Sequence, residues 1–141
     1  MIVIDTNVIS ELWKLEPDSN VLAWMDAQTI ETLYLSVVTV AELRYGLATM
    51  PEGKRRTIYQ ERLEREVLPA FAGRVLAFDL NTSKTYAERM AKARAEGKAI
   101  ARTDGYIAAT AAAHGLTVAT RDTSPFEAAG VAVINPWEAT P

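Results

Sequence analysis

The chain opens Met-Ile-Val-Ile-Asp-Thr-Asn, and residues 2–5 constrain its fold more than any other stretch. Ile2, Val3 and Ile4 are all β-branched and read as a short strand buried on both faces, the pattern of a parallel sheet covered by helices. A carboxylate, Asp5, follows where that strand would end. In open parallel α/β sheets, ligands bind in the crevice outside the carboxyl ends of the strands. Asp5 therefore stands where chemistry is usually done. Three later stretches end or begin in the same way, with Glu42, Asp104 and Asp122.

The remaining apolar pattern alternates between periods. Residues 7–14 read as a short helix with Val8, Ile9 and Leu12 on one side. A second helix starts at Pro17-Asp18-Ser19 and carries Val21, Leu22 and Met25. Residues 33–38 read as a second strand, and Thr39 opens a helix to about Met50. Pro51-Glu52-Gly53 is a turn. Residues 54–72 read as a charged amphipathic helix and 75–78 as a third strand. Asn81 or Thr82 caps a helix to about Gly97, and 99–102 is a connector. Thr103 caps an alanine-rich helix over 104–113, closed by His114-Gly115. Residues 117–120 are a fourth strand, 122–125 a loop, and 131–134 a fifth strand stopped by Asn135-Pro136. Strands alternating with helices argue for a parallel sheet with helices on both faces. Periodicity leaves the strand order open. No repeat or linker interrupts the 141 residues, which read as a single domain over 1–141.

Composition narrows the chemistry. The chain has no cysteine, which excludes disulfides, thiolate catalysis and zinc–thiolate sites. One histidine, His114, excludes a multi-histidine metal centre, and a catalytic triad would have to use that one ring. Carboxylates are the main tools left for hydrolysis, and clusters of them bind hard cations such as Mg²⁺ or Mn²⁺. No apolar run approaches the ~20 residues of a membrane helix, and Asp5 interrupts what would be a signal-peptide core. The expected location is the cytoplasm, with no membrane partner.

Charge is distributed unevenly. Residues 1–42 carry seven acidic groups and one basic group, a net of −6. Residues 54–74 carry six basic and three acidic groups, a net of +3, and residues 84–102 six basic and two acidic, a net of +4. A basic middle suits a polyanion while the ends gather carboxylates. Solvated helical faces account for the same runs, and for charge runs alone that is the favoured reading.

Each carboxylate also has a structural reading. Asp5 suits a helix cap. Thr39-x-x-Glu42 fits a capping box. Asp104, after Thr103, complements a helix dipole. Asp122 suits an Asx turn before Pro125. As a set they read differently. If strands one, two and four are neighbours, all four groups point into one crevice, and like charges packed together need a cation.

Four blocks then carry a resemblance. They are Val3-Ile4-Asp5-Thr6-Asn7-Val8, Ser36-Val37-Val38-Thr39-Val40-Ala41-Glu42-Leu43, Thr103-Asp104-Gly105-Tyr106-Ile107-Ala108-Ala109 and Thr120-Arg121-Asp122. In this order the sequence resembles the PIN-domain ribonucleases, specifically the VapC-type toxins of type II toxin–antitoxin systems. Ser124-Pro125-Phe126 and Gly130 to Trp137 look like the FitB-like branch. The resemblance covers nearly the whole chain. It implies a three-layer α/β/α sandwich with a five-stranded parallel sheet in order 3-2-1-4-5. It also implies a Mg²⁺- or Mn²⁺-dependent endoribonuclease that pairs as a homodimer. A cognate antitoxin would silence it, and DNA would be met only through that antitoxin. Asp5, Glu42, Asp104 and Asp122 fall on the family's acidic, metal-holding positions, and Thr6, Asn7 and Thr120 on its supporting polar positions. The expected attack on RNA is by metal-activated water, leaving 5′-phosphate products.

Arg121 borders the acidic positions and reads either as a phosphate contact or as a solvated side chain. His114 reads as a cap or a packing residue, and Trp13, Trp24 and Trp137 as packing residues. Tyr45, Leu47 and Met50 extend the apolar surface of the helix after strand two and suit a dimer face. Phosphoacceptor domains also use strand-end Asp. Here Asn7 stands where a dehalogenase-like pattern needs a second Asp, and no Lys follows the fifth strand as a receiver requires. A catalytically silent PIN-like binding protein is the alternative from another class.

Overall fold

The fold is described from a computed structural model, over residues 1–138; the last three residues of the expected 1–141 domain lie outside the described residues. Five strands, β1 (Ile2–Ile4), β2 (Leu33–Ser36), β3 (Val75–Leu76), β4 (Thr117–Ala119) and β5 (Val133–Ile134), form one all-parallel sheet in the order β3-β2-β1-β4-β5. Around it run α1 (Thr6–Leu12), α2 (Ser19–Asp26), α3 (Val37–Ala48), α4 (Lys54–Arg62), α5 (Leu68–Ala70), α6 (Leu80–Ala95), α7 (Arg102–Ala113) and α8 (Thr123–Ala128). The order 3-2-1-4-5 is the expected one.

Successive strand residues point to opposite faces, and both faces of β1 are covered. Ile4 joins a core with Val8, Ile9, Leu33, Leu35, Leu43 and Leu63. Val3 joins a second core with Ile107, Ala108, Val118 and Phe126. Val3 and Ile4 are fully buried, so polar substitutions have no water to turn to on either side. This double burial explains why the central strand has no hydrophilic residue before Asp5.

Several expected boundaries shift, each for a local reason. The second strand ends at Ser36, not at 38, because the Ser36 hydroxyl accepts from the Val38 N–H at 3.0 Å and caps α3. Val37 and Val38 are therefore helical, and Thr39 is no cap. The fifth strand is confined to Val133–Ile134 and the third to Val75–Leu76. Asp79, rather than Asn81 or Thr82, caps α6, accepting from the Thr82 N–H at 2.9 Å and its hydroxyl at 2.8 Å. Ala101 precedes α7 without a side-chain cap, so Thr103 lies inside the helix. The stretch 122–125 is not a loop throughout: α8 begins at Thr123 and takes Pro125 in its first turn, where a missing N–H costs nothing. The expected helix over 54–72 widens to a π-helical turn at Leu63–Val67, just before Pro69 withdraws a donor.

On α3, Val40, Leu43 and Leu47 are buried, so Leu47 belongs to the core stripe and not to an outer face. Val37 and Tyr45 remain exposed, Tyr45 at 72%. No helix among the described residues is long and apolar enough to cross a membrane.

Candidate active site

The sheet register builds the site. Ile4 pairs with Ala119, so the residues after them, Asp5 and Thr120, emerge side by side. The Thr120 hydroxyl donates to Asp5 Oδ2 at 2.8 Å. Asp5 Oδ1 accepts from the Thr6 N–H at 2.8 Å, which caps α1, and Asn7 Nδ2 lies 3.4 Å from Oδ2. Asn7 Nδ2 also donates to the Thr120 hydroxyl at 3.3 Å, while its Oδ1 accepts from the Arg121 N–H at 3.3 Å. The Asp122 N–H donates to the same hydroxyl at 3.1 Å. Thr120 is thus a fixed junction between β1 and the loop after β4.

Glu42 arrives from α3, half-buried and in the middle of the helix. Its Oε1 accepts from the Thr6 hydroxyl at 2.6 Å. The capping box is absent, so the helix end gives no reason for a carboxylate here. Asp104 lies in the first turn of α7. Gly105 beside it lets α7 press against α6: a Cβ there would stand 2.8 Å from Met90 Sδ. Asp5, Glu42 and Asp104 line one cleft of about 420 Å³ with Thr6, Asn7 and Arg121.

Burial grades across the cleft. Asp5 is 5% exposed, Glu42 and Asp104 are half-buried, and Asp122 is exposed, near enough to Asp104 to act on its charge but not among the residues lining the cleft. Asp122 makes no side-chain cap bond, so the Asx-turn reading fails, while the dipole reading of Asp104 and the cap reading of Asp5 both hold geometrically. Burial pushes the Asp5 carboxyl up to about 6. Hydrogen bonds from Thr120 and the Thr6 N–H oppose that rise, and the charges of Asp104 and Glu42 add to it. Asp104 is raised too, by burial and then by Asp122 and Glu42. One helix cap and one dipole interaction therefore coexist with mutual repulsion that neither requires.

The carboxylates converge without closing. Among the described residues, no three Asp, Glu, His or Cys side chains stand close enough to enclose a metal ion. The donor chemistry nonetheless fits a hard divalent cation: every ionisable donor is a carboxylate, and threonine and asparagine oxygens complete the set. His114 sits away from them, at the end of α7.

Sequence reasoning missed the contribution of α1 and the turn after it. Ser10, Glu11 and Lys14 line the cleft at helical spacing from Asn7. Glu11 is buried and held below the usual carboxylate range by Lys14 Nζ at 2.8 Å and the Asp18 N–H at 3.0 Å. The spacing 7, 10/11, 14 was the available signal. Trp13 and Trp24 pack against the core as expected. Trp137 packs there too but also lines the cleft, with the Arg121 guanidinium 5.3 Å from its ring centre.

Known proteins with this geometry are close at hand. The PIN domain family model matches residues 2–131. The chain is 74% identical over 138 residues to VapC ribonuclease Y4jK of Sinorhizobium fredii, covering 98% of this chain and 99% of that protein. It is 54% identical over 137 residues to Toxin FitB of Neisseria gonorrhoeae, covering 97% and 99%. The crystal structure of FitAcB from Neisseria gonorrhoeae superposes with a TM-score of 0.95 at 54% identity, covering 97% of this chain and 99% of the other. Register, cleft and match together lead to one conclusion: the chain belongs to the PIN domain family.

Proposed function

We propose that this protein is the toxin of a type II toxin–antitoxin pair and acts as a Mg²⁺- or Mn²⁺-dependent endoribonuclease on single-stranded RNA. The observation that carries this reading is the convergence of Asp5, Glu42 and Asp104 in one cleft, with Asp5 driven up to about 6 by burial and its neighbours. The names of the relatives, a VapC ribonuclease and a toxin, support the same class.

Asp5, Glu42 and Asp104, with Asp122 nearby, would hold the cation. When bound, the cation acidifies an attacking water and neutralises charge on the phosphate oxygens. The chain's own residues do the positioning. Thr120 and the Thr6 N–H fix both oxygens of Asp5, and the Thr6 hydroxyl fixes Glu42. Such partners set the orientation and basicity of a ligand. Arg121 at the rim supplies a positive group to orient the scissile phosphate. Among the described residues no histidine lines the cleft; the reading takes water as the nucleophile and expects 5′-phosphate products.

The antitoxin is the protein partner, and DNA is met only through it. A homodimer is proposed on the exposed Val37 and Tyr45 of α3, and light scattering should give about twice the 15.5 kDa chain mass. The cytoplasm, where RNA is met, is the proposed compartment. The test of function is incubation with single-stranded RNA in Mn²⁺, Mg²⁺ or chelator. Metal-dependent internal cleavage with 5′-phosphate ends is expected. Binding without cleavage in either metal would favour the catalytically silent reading.

A further inference from the structure

The acidic cleft is not isolated. It shares Thr6, Ser10, Lys14 and Glu42 with an adjoining depression between α1, α3 and α4. That depression shares Trp13, Lys14, Arg55 and Tyr59 with an outer one along α4. A row of adjoining depressions therefore leads from the carboxylates to the basic face of α4, and is called the channel below.

The outer part of this channel differs from the cleft in sign. Its lining includes Lys14, Lys54, Arg55 and Arg62 and no acidic residue. The Trp13 and Tyr59 rings stack at 5.7 Å with an interplanar angle of 12°, and the Tyr59 hydroxyl donates to the Trp13 carbonyl at 3.2 Å. The Arg55 and Arg62 guanidiniums each lie 5.6 Å from the Tyr59 ring centre. The stacked rings thus hold two cations in place. Arg62 also stands 4.0 Å from Glu66, and Lys14 is paired with Glu11. Lys54 and Arg55 form no ion pair among the described residues. Ile58 and Leu15 flank the channel with exposed apolar surface, at 52% and 101% exposure.

We propose that this channel is the track for the single-stranded RNA on one side of the scissile phosphate. Lys54, Arg55 and Arg62 meet its phosphates, and Ile58 and Leu15 its bases. The proposal rests on the ribonuclease reading and adds where the substrate lies. Fixed cations with apolar flanks suit a flexible polyanion whose bases are unpaired. An acidic protein segment is the competing occupant. Its position next to the acidic cleft favours RNA, because a strand bound at the cleft must leave it along some path.

The experiment uses the full chain and a double variant, Lys54→Gln with Arg55→Gln. Both residues are exposed, and equal melting temperatures would verify that folding is untouched. Binding of a single-stranded RNA of about twelve nucleotides is measured in chelator across a salt series. The variant should bind roughly tenfold more weakly at low salt, and its log–log salt slope should be shallower by about 1.4, for two lost phosphate contacts. If the parent cuts RNA while the variant keeps the parent's affinity and slope, the track is wrong and the ribonuclease reading stands. If the variant keeps RNA binding and loses only its affinity for the antitoxin, the channel is a protein dock and the proposal is overturned. A parent that neither binds nor cuts RNA overturns the ribonuclease reading and the track with it.

Discussion

Asp5 and Asp104 line one cleft, and they are held in different ways. Asp5 is buried, caps α1 and accepts from Thr6, Thr120 and Asn7. Asp104 is half-buried in the first turn of α7, and among the described residues its side chain makes no hydrogen bond. The Asp5 side is wired into the sheet, so its carboxylate serves the fold and the site at once. The Asp104 side adds charge and little structure. A substitution at Asp5 mixes two effects, while one at Asp104 isolates the charge.

The largest effect that sharpens this contrast is kinetic. Asp104→Asn should cut ribonuclease turnover by roughly a thousandfold, about 4 kcal/mol of barrier, through weakened hold on the cation. Single-turnover cleavage in Mn²⁺ would measure it. Unchanged turnover would return Asp104 to its dipole role.

The next effect separates burial from bonding at Asp5. Its folded pKa of about 6 lies above the ordinary 3.8. A raised carboxyl stabilises the fold below the unfolded pKa, and that contribution is lost as pH rises through the folded one. In chelator, Asp5→Asn should therefore gain on the parent by roughly 2.4 kcal/mol between pH 4 and pH 7.5. Urea titrations at the two pH values would show it, and a constant gap would mean that the hydrogen bonds fully offset burial.

A smaller effect lies at the junction. Thr120→Val keeps shape and removes the hydroxyl shared by Asp5, Asn7 and Asp122. Activity or Mn²⁺ affinity should fall about 10–100-fold, as for partners that orient a ligand. The smallest effect is at the other basic helix. Arg94 and Lys98 line a depression at the end of α6 that shares no residue with the cleft, and Arg89 is spent on the Ala129 and Gly130 carbonyls. Replacing Lys92, Arg94 and Lys98 with Gln should leave the salt slope of RNA binding unchanged.

That last contrast marks where sequence stopped being informative. The runs 54–74 and 84–102 look alike as charge, and only the packing of α4 against α1 and α3 joins the first of them to the cleft. The central strand was legible because β-branched residues ending in Asp5 have few other uses. The strand order came through resemblance, since period-two alternation carries no neighbour information. Helix starts were misjudged where a residue outside the periodic run did the capping, as Ser36 and Asp79 do. The part played by α1 and the turn after it was hidden because Ser10, Glu11 and Lys14 have ordinary surface chemistry until the helix is docked.

The central claim is that the carboxylates are gathered for a cation, and paired thermal melts of parent and Asp104→Asn, in chelator and in Mn²⁺, test it directly. In chelator the variant should be as stable as the parent or more so, because repulsion among Asp5, Glu42, Asp104 and Asp122 falls. At about a hundred times its dissociation constant, Mn²⁺ should stabilise the parent by about 2.7 kcal/mol and the variant by much less, reversing the order. Equal stabilisation of both proteins by Mn²⁺, or none of either, would contradict it.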